Sequence, residues 1–129
     1  MKQLSVVLAA GLLSLAIAFT LTAQEKKAMK EVTITGEIID MKCYVTGMMG
    51  GRGEEHKQCA TDCIKGGLPV GLLEDKTEAV YTVVPKSPGM KGANEELVKY
   101  AAERVKLTGA VVEKGGAKLF VYSKVEEIE

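Results

Sequence analysis

The stretch from residue 104 to residue 128, RVKLTGAVVEKGGAKLFVYSKVEEI, constrains the fold more than any other part of this chain. Two adjacent strand-like runs rich in valine and other apolar residues flank Gly115 and Gly116, which predicts a β-hairpin closed by a glycine turn. Earlier in the chain, EVTITGEIID places Val32, Ile34 and Ile38 on one side of an alternating strand. Gly36 sits in the middle of that side, where a glycine signals a bend or bulge. A short apolar run around Leu72, a turn over residues 74–77 and a strand over residues 79–84 follow, with Pro85 and Pro88 removing the backbone donors that would extend it.

Two helices punctuate these strands. Residues 54–65 are compatible with one, and Gly66 and Gly67 stand where it would stop. In ANEELVKYAAER, Leu97, Tyr100 and Ala101 recur at helical spacing, Asn94 is a candidate N-cap, and Glu95 and Glu96 suit the positive end of the helix dipole. The expected class is therefore mainly β with two short helices. Five strands with a helix between the third and fourth fit a small five-stranded OB-like barrel, whose closure removes the exposed edges of an open sheet. A Cys/His-bearing loop and helix is inserted after the first strand.

That insertion, CYVTGMMGGRGEEHKQCATDC, contains the whole cysteine and histidine complement of the chain: 3 cysteines and 1 histidine. On a helix over residues 54–65, His56, Cys59 and Cys63 fall within an arc of about 60°. Cys43, expected at the end of the first strand, can fold back over that face through the glycine-rich loop. Cys43, His56, Cys59 and Cys63 together form a Cys₃His set, complete for tetrahedral zinc. Cys59 and Cys63 are a poor disulfide, because helix neighbours four apart hold their Cβ atoms about 5–6 Å apart. Cys43 could bridge either one and leave a free thiol, and a thiol-redox centre beside His56 is a third possibility. Copper is the alternative metal, since Met41, Met48 and Met49 lie nearby and thioethers with thiolates suit Cu(I). Asp40 and Asp62 could orient a ligand histidine, although a solvated surface carboxylate is the expectation for each.

Charge and the N-terminus bound the rest. The formal net charge is +0 and the isoelectric point is about 6.6, with no basic stripe, which argues against a nucleic-acid partner. Lys2, an apolar run to about Leu21 and the small residues Thr22 and Ala23 predict a secretory signal peptide over residues 1–23. An uncleaved membrane anchor is the alternative. Residues 24–30 are a flexible polar tether, and residues 31–129 a single OB-like domain. After signal cleavage no membrane association is expected.

The run from Gly36 to Leu73 resembles a pattern in small exported, largely uncharacterised bacterial proteins. In that pattern a cysteine follows a Gly-Glu-Ile/Val-x-Asp strand, and Gly51, Gly53, His56, Cys59, Ala60, Cys63, Gly67, Pro69 and Gly71 occupy its later positions. The resemblance implies export and a functional cysteine cluster, with an OB-like second half, and implies no particular reaction. The expectation is an exported OB-like domain holding a structural zinc ion, of non-enzymatic binding or structural type. The alternative is a periplasmic thiol-redox or copper-handling protein with a Cys43 disulfide. A closed four-ligand set argues against zinc hydrolysis, and the sequence names no protein or small-molecule partner.

Overall fold

The structure, a computed structural model, describes residues 29–128. The expected signal peptide and most of the expected tether lie outside the described residues. Strands β1 (Val32–Asp40), β2 (Val70–Glu74), β3 (Val80–Pro85), β4 (Arg104–Lys114) and β5 (Ala117–Glu127) close into a ring in the order β1-β2-β3-β5-β4. All pairings are antiparallel except β3 with β5, where Val83 lies beside Phe120 in a parallel register. This is the expected OB-like barrel. β3 extends one residue further than its sequence suggests, with Pro85 as its last residue paired to Tyr122.

Two glycines make closure possible, because a strand bends sharply only where no side chain fills the concave side. A Cβ on Gly36 would overlap the carbonyl oxygen of Leu73, and one on Gly109 would overlap that of Val121. Gly109 also sits at the register shift in the β4–β5 pairing, where a bulge turns the long hairpin round the barrel. Ile38, Leu72, Val105, Leu107, Phe120 and Tyr122 fill the interior, and Tyr81 meets Phe120 edge-on with ring centres 6.2 Å apart.

The helices differ from expectation in instructive ways. Helix α1 (Met41–Thr46) follows β1 directly, where the sequence suggested strand leading into loop. Helix α2 (Lys57–Lys65) is preceded by a 3₁₀ turn over Glu54–His56, so the expected helix is present with its first turn more tightly wound. Helix α3 (Ala93–Leu97) gives way after five residues to a 3₁₀ turn at Val98–Tyr100, and Ala101 forms a bridge to Ile38. Its N-cap is Gly92, not Asn94. The Asn94 side-chain amide instead donates to the carbonyl oxygens of Ile64 (2.8 Å) and Leu68 (2.6 Å), tying α3 to the end of α2. Ala60, Ile64 and Leu97 complete the core from this side, so α2 is anchored to the barrel by the face next to its cysteines, about 100° round the helix. Among the described residues no helix is long and apolar enough to cross a membrane.

Candidate metal centre

The site begins at the end of β1. Asp40 is the N-cap of α1, with extended backbone (φ −82°, ψ 129°), and its Oδ1 accepts the backbone N–H of Cys43 at 2.8 Å. This is the capping geometry that a short polar side chain supplies to an otherwise unpaired helix-start donor. It places Cys43 in the first turn of α1, not at the strand end expected from sequence, and buries it to 1% exposure. Gly47, left-handed at φ 71°, stops the helix.

The loop then returns over α1. A Cβ on Gly51 would lie 2.7 Å from Cα of Tyr44 and 2.8 Å from the carbonyl oxygen of Cys43, so the absence of a side chain there lets the chain cross close above Cys43. The backbone N–H of Gly53 donates to the buried Glu37 carboxylate on β1, and Arg52 lies 3.8 Å from the same group. These contacts hold the glycine-rich loop against β1.

His56 is buried at 1% exposure, beneath the returning loop. Its Nδ1 lies 3.1 Å from the carbonyl oxygen of Met49, which can only accept, so Nδ1 carries a hydrogen and donates. Its Nε2 lies 3.0 Å from Oδ2 of Asp40. Asp40 is therefore not a solvated surface carboxylate: it is completely buried, holding α1 with one oxygen and His56 with the other. Burial works against its ionisation, but the Cys43 N–H and the His56 ring outweigh that and hold its carboxyl below the ordinary value.

Helix α2 presents Cys59 and Cys63 one turn apart towards Cys43. The Cys43 Sγ is 3.9 Å from that of Cys59 and 4.0 Å from that of Cys63, and all three sulfurs lie within 4.8 Å of one another. With metal–sulfur bonds of about 2.3 Å, tetrahedral coordination separates sulfurs by about 3.8 Å and trigonal coordination by about 4.0 Å. The cluster could thus hold a metal ion with little movement. All three cysteines are free thiols. Burial, followed by the Asp40 carboxylate, pushes the Cys43 thiol up to about 12, and burial also raises that of Cys63. A metal entering the site has to displace the proton on Cys43.

The four residues singled out from sequence fall into two overlapping groups. Cys43, Cys59 and Cys63 form one, while His56 joins Cys43 and Asp40 in the other. His56 does not share the solvent-facing side of Cys59 and Cys63, because the 3₁₀ turn before α2 directs it inward. Asp62 does not orient His56: it accepts from Gln58 on the exposed side of α2, at the groove that Cys59 and Cys63 line. Met41 packs across Gly71 beside Ile39. Met49, by contrast, lines an open groove together with Glu55, Gln58, Cys59 and Cys63. Sequence reasoning undervalued Asp40, although the signal was present: an Asp three residues before Cys43, ahead of a stretch ended by Gly47, is a cap and stop pair. The Met49 carbonyl had no sequence signal, since every residue carries one. No protein family, curated protein or solved structure matches the chain.

Proposed function

We propose that this is an exported OB-like domain that binds one thiophilic metal ion through the thiolates of Cys43, Cys59 and Cys63, with zinc in a structural role. The observation that carries this reading is the trio of sulfurs, whose 3.9 and 4.0 Å separations match the edges of a metal–thiolate polyhedron. His56 supplies the fourth ligand when Nε2 gives up its proton to solvent and exchanges Asp40 for the ion. The Met49 carbonyl supports that role, because a hydrogen held at Nδ1 by a backbone oxygen leaves Nε2 for a metal. Asp40 would keep its other oxygen on the Cys43 N–H. The ion ties α1, the glycine-rich loop and α2 together, so its binding energy adds to folding. Export is supported by the charged, apolar and small-residue succession over residues 1–23.

The test is metal content and free-thiol count on one sample purified from the exported fraction without chelator. One zinc per chain, with three protected thiols released together by a chelator, is the expected result. Absence of stoichiometric metal, together with one reactive thiol whose reactivity a chelator leaves unchanged, would establish the disulfide alternative. Cys43 lies almost equally close to both partners it could bridge in that case.

A further inference from the structure

Cys59 and Cys63 are only partly buried, and the groove they line opens to solvent beside a methionine that the zinc site does not use. Met49 has a left-handed backbone (φ 55°), a conformation that costs a non-glycine residue energy. The His56 ring holds it there through its carbonyl oxygen, between the turns made by Gly47, Gly50 and Gly51. Its side chain is 75% exposed on the lip of the groove. The chain therefore holds, with backbone strain and a part-buried hydrogen bond, a loop that puts a flexible thioether on the same groove as two thiols. A thioether adds little to a zinc site, whereas thiolate with thioether is the donor set that monovalent copper prefers.

We infer that the same centre takes copper(I), bound by the thiolates of Cys43, Cys59 and Cys63 with the Met49 thioether closing over it from the groove. Under this arrangement His56 stays on Asp40 and Met49 and serves as a positioning residue. The groove is the route by which a soft ligand of a donor or acceptor reaches the ion. The inference rests on the three-thiolate reading but not on zinc being the resident ion.

The test is anaerobic titration of the full mature chain with copper(I) against a chromophoric copper(I) chelator, in parallel with zinc against a zinc indicator. Wild type, Met49→Leu, Met48→Leu and Cys43→Ser are compared. Wild type should bind one copper(I) and release any zinc. Met49→Leu should weaken copper(I) binding about tenfold or more, the scale on which residues around a metal tune affinity, and leave zinc affinity unchanged. Met48→Leu should change neither. Copper(I) affinity unaltered by Met49→Leu, or lowered equally by Met48→Leu, overturns the inference while the zinc titration still stands. If neither metal binds wild type, or Cys43→Ser binds both as well as wild type, the three-thiolate reading itself fails. Leucine keeps the volume and apolarity of methionine, and circular dichroism of each variant verifies the fold.

Discussion

Asp40 does at one position what three separate residues often do: it ends a strand, starts a helix and pins a histidine. Both of its oxygens are used, one on the Cys43 N–H and one on His56 Nε2, and it is completely buried. Asp40→Ala should therefore cost about 3 kcal/mol, since it removes a cap and leaves buried donors without a partner. Asp40→Asn retains an oxygen for the Cys43 N–H and should cost less. Urea denaturation of the metal-free protein checks both, and equal costs would mean that the cap contributes nothing separate from the charge. Legibility at this scale was uneven. The three cysteines and His56 stood out because the chain's whole cysteine and histidine complement falls in one insertion, and the structure places them within one small region. Which way His56 points was not legible, because it depends on whether the turn before α2 is wound with 3.0 or 3.6 residues per turn.

At the level of elements, the β4–β5 hairpin was the clearest expectation and runs as anticipated round Gly115 and Gly116. Its bulge at Gly109 was not visible in the sequence pattern, although the glycine was. Gly109→Ala and Gly36→Ala should each destabilise the barrel by more than about 3 kcal/mol, because each new Cβ meets backbone rather than a movable side chain. Gly89→Ala, with open space around it, is the control, and thermal melts of the three variants distinguish closure from a general glycine effect. Strand β5 also links to α3. The buried Tyr122 hydroxyl donates to Glu96 at 2.6 Å, and burial, reinforced by that carboxylate, holds the phenol well above its ordinary value of 10.0. A raised value means that the folded state keeps the proton that the unfolded state loses first. Stability should fall as pH rises past 10, and Tyr122→Phe should flatten that alkaline limb in urea titrations at fixed pH values. An unchanged limb would show that Tyr122 does not govern it. Helix α3 itself was overestimated: its periodic pattern continues past Leu97, but Ala101 pairs with Ile38 of the barrel, and a bridge to a strand cannot coexist with a continuing helix.

For the whole molecule, the described domain is small, and a resident metal would supply a useful share of its stability. An ion present at a hundred times its dissociation constant adds about 2.7 kcal/mol. For a domain of about 100 residues that corresponds to a melting temperature about 10–20 °C higher. Calorimetry before and after chelation should show a drop of this size, reversed by adding zinc. A chelator that leaves the melt unmoved would remove the structural role for the ion.

Alternating apolar residues, a glycine turn and the concentration of soft donors in one insertion are properties of neighbouring residues, and they were enough to establish a small β fold carrying a thiol cluster. The order in which strands close, the parallel pairing of β3 with β5 and the inward turn of His56 depend on groups distant in the chain competing for the same space. Asp40 shows the division most plainly. Its chemistry as a cap was written in the sequence three residues from Cys43. Its burial against His56 was decided only when the glycine-rich loop crossed over α1 and excluded water from both.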